Sequence, residues 1–183
     1  MKKKICITAG AVFLAVLSVA VAQAGDDIQA QSQQAISNFK AKDSTLATFF
    51  ANAAGYAVFP DVGKGGFIVG GSHGKGTVYE KGGNVIGTAT MTQASVGAQV
   101  GGQTFAQVIF FQTPAALADF KAGKFEMSTD VSAVAVKQGA STQANYKDGV
   151  AVFTMPKSGL MAAASVGGQK FKFEPLTMAP TGR

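Results

Sequence analysis

The spacing of apolar side chains divides the chain into a helical beginning and a β-rich remainder. Between Asp26 and Ala54, apolar residues recur at intervals of three, four and seven, as on one face of an amphipathic helix. These residues are Ile28, Ala35, Ile36, Phe39, Leu46, Phe49, Phe50 and Ala53. Asp43-Ser44 is a typical N-cap sequence and Gly55 a typical C′ stop, so the segment is predicted to form two helices.

After Gly55 the pattern changes to short runs rich in Val and Phe that are separated by Gly. This pattern, with turn sequences at residues 81–84 and 147–149, favours antiparallel strands. Strands are predicted at residues 56–59, 66–69, 77–79, 108–111, 133–136 and 150–153. One helix interrupts them, from Pro114 to Ala122, with Thr113 as its N-cap and Gly123 at C′.

These elements predict an α+β fold. The N-terminal helical segment is expected to pack on a Gly-rich, mainly antiparallel β-barrel or sandwich, with the inserted helix over one opening. Residues 55–59 resemble residues 149–153, and residues 94–99 resemble 164–169. Two interpretations are open: convergence in a Gly- and Ala-rich sequence, or two related hairpins packed against each other.

The first 24 residues have the pattern of a secretory signal peptide. Lys2, Lys3 and Lys4 precede an apolar run at residues 5–21, and Ala22-Gln23-Ala24 is a small-x-small cleavage sequence. We therefore predict cleavage near Ala24-Gly25 and a periplasmic or secreted protein. A membrane anchor is the alternative, while a lipoprotein would need a cysteine at the cleavage point and the only cysteine is Cys6. The predicted domains are a signal peptide (1–24), a helical segment (25–54), a β-rich domain (55–175) and a tail (176–183).

Composition narrows the classes of function. The chain has 16 Lys and Arg against 10 Asp and Glu, and removal of residues 1–24 leaves 13 basic residues and no cysteine. The mature chain then has no disulfide, thiol nucleophile or thiolate metal site. The mature chain also has no run of Lys or Arg, which argues against nucleic acid as a partner. A mild positive charge suits an anionic membrane surface.

Motifs of catalysis were tested against their structural context. Gly70-Gly71-Ser72-His73-Gly74 matches the G-x-S-x-G elbow, but a turn and a strand are predicted after it, and neighbours on a strand point to opposite faces. We therefore expect these glycines to form a tight turn. The spacing around Lys75 does not fit a phosphate-binding loop, and the acidic residues are scattered. No catalytic residue, cofactor or metal is predicted, so the protein is predicted not to be an enzyme.

Two predicted turns, residues 62–67 and 155–161, combine Lys, Gly and large apolar side chains. Gly-rich turns expose backbone N–H groups, Lys adds charge, and apolar side chains insert among acyl chains. The candidate lipid-binding residues are Lys64, Phe67, Lys75, Lys157, Leu160 and Met161. Alternatively the apolar members belong to the core and the lysines only solubilise loops. Because Lys64 and Lys157 lie in corresponding turns of the two similar segments, we expect one basic rim.

An ordered series of short motifs runs through the β-rich part of the chain. They are Lys64-Gly65-Gly66-Phe67, Gly70-Gly71-Ser72, Val85-Ile86-Gly87-Thr88-Ala89, Gly97-Ala98-Gln99-Val100-Gly101, Val108-Ile109-Phe110-Phe111, the helix to Phe120, and Lys157-Ser158-Gly159-Leu160. In this order, residues 55–173 resemble the SYLF domain, also called the Ysc84-type actin-binding domain, of bacterial exported proteins and eukaryotic membrane-trafficking proteins.

The resemblance implies lipid binding without catalysis, and phosphoinositide and actin binding in eukaryotic members. Because the chain is predicted to be exported, only phospholipid binding is carried over. We therefore expect a phospholipid-binding protein at the cell-envelope membrane surface, with anionic phospholipid as its partner. The alternative is a periplasmic scaffolding or stress protein that binds a protein partner through the Gln- and Ala-rich segment 26–42.

Overall fold

A computed structural model describes residues 11–65, 69–96, 103–125, 127, 131–158 and 168–176. This part of the chain combines three α-helices with one seven-stranded sheet, which confirms the α+β prediction. The helices are α1 (Ala11–Lys42), α2 (Leu46–Asn52) and α3 (Pro114–Lys121), with a 3-10 helix at Ala140–Gln143. The strands are β1 (Gly55–Gly65), β2 (Val69–Glu80), β3 (Val85–Val96), β4 (Gln103–Phe111), β5 (Val134–Ala135), β6 (Val150–Ser158) and β7 (Lys170–Pro175).

The strands form an open sheet in the order β5-β6-β4-β1-β2-β3-β7. All neighbours are antiparallel except the short β5, which pairs parallel to β6. The sheet ends at β5 and β7, so the predicted barrel or sandwich is not confirmed. The predicted tight turn at residues 70–74 is wrong, because these residues lie inside β2 and most of them pair with both β1 and β3.

Each face of the sheet packs against its own hydrophobic core. On one face, α3 contributes Leu117 and Phe120 to a core with alternate residues of the strands. The rings of Phe59 on β1 and Phe171 on β7 lie 5.8 Å apart there, although β2 and β3 separate these strands. The sheet therefore curls around this inner core. Helices α1 and α2 pack against the opposite, outer face.

The apolar side of α1 lies on the outer face, as its periodicity predicts. Ala35, Ile36 and Phe39 are buried there. The Ser32 hydroxyl donates a hydrogen bond to the Val58 carbonyl oxygen at 3.4 Å, and the described contacts of α1 with the sheet begin at Ile28. In the full chain α1 runs through the predicted cleavage site, and the signal peptide stays a prediction. None of the described helices has the length and hydropathy needed to cross a bilayer.

The predicted boundaries of α3 are confirmed, whereas the predicted end of α2 is wrong. The Thr113 hydroxyl accepts a hydrogen bond from the Ala116 amide at 3.2 Å, and Gly123 follows the helix with φ of 68°. Helix α3 packs on the inner face of the open sheet, so it does not cover the opening of a barrel. Helix α2 is capped by Ala53, and Gly55 begins β1. A Cβ on Gly55 would lie 2.7 Å from the Tyr79 carbonyl oxygen, so a close strand approach explains this glycine.

The similarity between residues 55–59 and 149–153 is not a structural repeat. Strands β1 and β6 both pair with β4. The sequence similarity aligns Val58 of β1 with Val152 of β6. In the sheet, however, Val108 of β4 lies opposite Val58 on one side and opposite Phe153 on the other. Val58 therefore packs in the outer core while Val152 packs in the inner core. A shift of one residue reverses every side chain of a strand. The second pair, 94–99 and 164–169, falls largely outside the described residues.

Candidate functional site

Five strands share one end of the sheet, here called the distal end. At this end β1 and β6 finish, β2 and β4 begin, and β3 finishes, as the pairs Gly65–Gly71, Val69–Val96 and Thr104–Ser158 show. The segments that follow or precede these strand ends are 66–68, 97–102 and 159–167, and none contains a charged residue. Phe67, Leu160 and Met161 belong to these segments and lie outside the described residues, so their assignment stays a prediction.

Lys64 and Lys157 lie in strands, so the turns predicted at 62–67 and 155–161 are wrong over their described residues, 62–65 and 155–158. Lys64 is the next-to-last residue of β1 and pairs with Ser72 and Gln103. Lys157 is the next-to-last residue of β6. Strand β4 separates β1 from β6, which places the two backbones about 10 Å apart. The two lysines therefore share the distal end without being adjacent.

An ion pair changes the expected role of Lys157. Its Nζ lies 2.6 Å from Oδ1 of Asp61, and both side chains are about half exposed. Exposed pairs of this kind contribute little to stability. The Asp61 carboxylate nevertheless offsets the Lys157 charge, so the predicted rim is less basic at this point than its lysines alone indicate.

Lys75 belongs to a group of cations on the outer face of β2, β3 and β7. Directly opposite residues share a face, and the rows are Lys75–Thr90–Lys172 and His73–Thr92–Lys170. All of these side chains are exposed except the half-buried Thr90. We call these six residues the basic face. Sequence reasoning missed Lys170 and Lys172, although the alternation Lys170-Phe171-Lys172-Phe173 is itself a signal for a strand with two lysines on one side.

Glu174 adjoins the basic face and moderates its charge. It lies two residues beyond Lys172 on β7, and Lys172 Nζ donates a hydrogen bond to its Oε1 at 2.9 Å. This hydrogen bond and the positive charges of Lys172 and Lys75 lower the pKa of Glu174. A second carboxylate, that of Asp61 on β1, lies directly opposite Lys75, so the face is bordered by acidic side chains on two sides.

A groove of about 180 Å³ lies between α1 and the sheet, beside the basic face. The carboxamides of Gln31, Gln34 and Asn38 form one wall, and the Asp61–Lys157 pair lies on the other. The described residues contain no group of three His, Cys, Asp or Glu side chains that could hold a metal ion. The remaining lining residues of the groove are the apolar Ala35, Pro60, Ala106 and Met155.

The Ser72-His73 pair lacks the arrangement of a hydrolase. Ser72 is buried, and its Oγ has no hydrogen-bond partner in the described part of the chain, whereas the neighbouring His73 is exposed on the other side of β2. A nucleophile and its general base must lie within hydrogen-bond reach of each other. Adjacent strand residues that point to opposite faces do not meet that condition.

Residues 92–175 match the family model Ysc84, described as "Las17-binding protein actin regulator". This chain belongs to the Ysc84, or SYLF, domain family. The resemblance that the ordered motifs indicate is therefore confirmed. The match covers the end of β3 and all later strands, including both lysines on β7. SYLF is a family of binding domains and is not a known enzyme family.

A curated relative of this SYLF protein is "Beta cell expansion factor A" of Aeromonas veronii. It is 30% identical over 122 residues, which are 67% of this chain and 46% of the relative. The chain thus spans about half the length of that relative, and the likeness concerns the shared domain.

Proposed function

We propose that this SYLF protein is exported and binds anionic phospholipid at a membrane surface of the cell envelope, without catalysis. The observation that carries the proposal is the combination of an exposed basic face with uncharged segments at the distal end of the same sheet. Lysines near an anionic leaflet each favour binding by about 1 kcal/mol. Apolar side chains of the distal segments, Phe67, Leu160 and Met161, would add burial among acyl chains.

The contacts between α1 and the sheet are compatible with export and cleavage. The described contacts between α1 and the sheet begin at Ile28, so cleavage near Ala24-Gly25 leaves them intact. We expect the protein recovered from the cell envelope to lack residues 1–24, as measured by intact mass. A full-length mass in that fraction, with the chain released only by detergent, would support the membrane anchor instead.

Flotation with vesicles tests lipid binding. The protein is mixed at low salt with vesicles of phosphatidylglycerol and phosphatidylethanolamine, or of phosphatidylcholine alone. We expect flotation with the anionic vesicles. Absence of flotation with both compositions would refute the proposal.

Apolar substitutions test the distal end. Phe67→Ser combined with Leu160→Ser should release the protein from anionic vesicles. Leu176→Ser is the matched control, because Leu176 is 53% exposed and follows β7 at the opposite end of the sheet. Equal binding by both variants would show that the distal segments do not insert.

Charge reversal tests the predicted lysines. Lys64→Glu combined with Lys157→Glu should weaken binding more than tenfold, since four units of charge change near the surface and the carboxylate introduced at position 157 would face Asp61. The control is Lys81→Glu combined with Lys147→Glu at the opposite end of the sheet. Unchanged binding by a folded Lys64/Lys157 variant would show that these lysines only solubilise the strand ends.

A protein partner is the competing function, and the family description "Las17-binding protein actin regulator" names one for the family. The apolar side of segment 26–42 is already occupied by the sheet, which argues against that segment as a free partner helix. Cross-linking in cells separates the two functions. One dominant protein adduct with no phospholipid in the purified protein would favour the partner.

A further inference from the structure

We propose that the basic face is the headgroup site of this protein, where lipid phosphates bind between Lys75, Lys170 and Lys172 above Thr90 and Thr92. This inference rests on the proposed function and adds which surface meets the lipid and what chemistry it recognises. It also assigns to the Glu174 carboxylate the effect of lowering the affinity for anionic lipid.

The geometry of the basic face is a rectangle with cationic or imidazole side chains at its corners. Lys75 and Lys172 mark one side and His73 and Lys170 the other, with two strand spacings, about 10 Å, between β2 and β7. Alternate residues along a strand are about 7 Å apart. The threonine hydroxyls occupy the middle strand between the lysines. Ammonium groups and hydroxyls around a flat centre provide hydrogen-bond donors from several directions.

These groups select for phosphate. A lysine acts toward phosphate as a strong point charge, and a hydroxyl donates one further hydrogen bond to an oxygen. The basic face presents no large apolar side chain, so it is suited to the polar layer of a membrane rather than to the acyl chains. Charge complementarity therefore favours the phosphates of an anionic bilayer.

The basic face lies near enough to the distal end for one membrane surface to meet both. Lys170 lies opposite Thr92, which is four residues, or about 13 Å, from the last residue of β3. A membrane that meets the distal segments thus has its headgroup layer beside this face. The flexible stems of lysines extend toward such a layer.

Glu174 provides the sharpest test, because its removal should improve binding. Glu174→Gln leaves the fold unchanged, releases Lys172 and removes the acidic charge beside Lys75. We expect binding to phosphatidylglycerol vesicles to become about fivefold tighter, since one charge near the surface is equivalent to about 1 kcal/mol. Glu80→Gln is the matched control, as Glu80 is exposed at the opposite end of β2.

Neutralising two lysines should have the opposite effect. Lys75→Gln combined with Lys172→Gln should weaken binding about 30-fold, by the same conversion. The control Lys81→Gln combined with Lys147→Gln carries the same change in charge. The difference should nearly vanish in 1 M salt, where the Debye length is about 3 Å. If Lys172 only protects the edge strand from association, vesicle affinity will be unchanged and the proposal is wrong.

The outcomes separate this inference from the proposed function. Wild-type protein that binds no vesicle overturns both. Wild-type protein that binds, with affinity lost in the Phe67/Leu160 variant but unaltered by Glu174→Gln and by the lysine pair, overturns the basic face alone. A third arm titrates inorganic phosphate and follows the amide resonances of Thr90 and Thr92. Saturation by free phosphate, without competition from phosphatidylglycerol vesicles, would identify a soluble phosphate site and overturn the lipid source.

Discussion

Replacing Asp43 by asparagine tests how the helical segment is fastened to the sheet domain. Asp43 follows α1, and its carboxylate is fully buried. It accepts hydrogen bonds from the Thr45 amide at 3.0 Å, the Thr45 hydroxyl at 2.5 Å, the Gly139 amide at 3.2 Å and the Ser141 amide at 2.9 Å. The hydroxyls of Thr45 and Ser141 also hydrogen-bond each other. One carboxylate thus joins the α1–α2 junction to the 3-10 helix.

The expected cost follows from these contacts. Hydrogen bonds to a charged acceptor contribute about 1.5–3 kcal/mol each, and a buried donor left unpaired costs about as much. Asparagine keeps one oxygen but turns an NH₂ group toward a backbone N–H. We expect Asp43→Asn to lower the free energy of unfolding by about 3 kcal/mol at pH 7. Asp119→Asn, at an exposed position of α3, should change it by less than about 0.5 kcal/mol.

The pH dependence provides a second readout that a merely steric effect would not produce. Burial acts to raise the pKa of Asp43, but hydrogen bonds from Thr45 and Ser141 outweigh it and hold that pKa well below its usual range. An unfolded aspartate has a pKa of about 3.9, so the unfolded chain binds the proton first. The stability that Asp43 provides is therefore present above about pH 4 and declines as the pH falls toward its native pKa.

Urea unfolding followed by far-ultraviolet circular dichroism measures both effects, because the chain has no tryptophan. The difference between wild type and Asp43→Asn should shrink by about 1.3 kcal/mol from pH 7 to pH 3. A difference below about 0.5 kcal/mol at pH 7, or one that does not change with pH, would refute the role assigned to this carboxylate.

Three further substitutions test the cores by the same unfolding measurement. Ser72→Ala should raise the free energy of unfolding by about 1 kcal/mol, because it removes a buried hydroxyl that has no hydrogen-bond partner in the described part of the chain. A loss of stability would show that this hydroxyl does have a partner. Gly76→Ala should cost about 2 kcal/mol, because its Cβ would collide with a β1 carbonyl oxygen, while Gly63→Ala meets open space and should be tolerated. Gln107→Leu should lower the free energy of unfolding by about 2 kcal/mol, because it leaves the buried amide of Gln169 unpaired. Adding Gln169→Leu should restore part of that loss. Strictly additive effects of the two substitutions would contradict the pairing.

Local signals in the sequence located the three helices and five of the seven described strands, whereas β3 and β7 had no predicted counterpart. The start of α3 is marked by Thr113 and Pro114, and its end by Gly123. The buried side of α1 follows from the spacing of its apolar residues alone. Such features depend on interactions between residues a few positions apart. They are therefore readable without knowledge of the fold.

Long-range features were not readable in this way. The partners of Asp43 lie 96 and 98 residues further along the chain, and no local pattern connects them. Of the two interpretations of the similar segments, the repeat is wrong, because similarity of sequence does not define strand register. A shift of one residue places Val152 on the opposite face from Val58. The turn predicted at residues 70–74 failed because small residues also permit close packing inside a sheet.

The basic face lies on the part of the outer face that α1 does not cover. Along the outer side of β2, Tyr79 and Thr77 are buried beneath α1, whereas Lys75 and His73 are exposed. The same strand therefore changes from a core element to a charged surface within a few residues. Because α1 packs mainly on β1 and β2, the rows that continue onto β3 and β7 stay open. The helix that stabilises the domain thus also determines which cations remain accessible to an anionic surface.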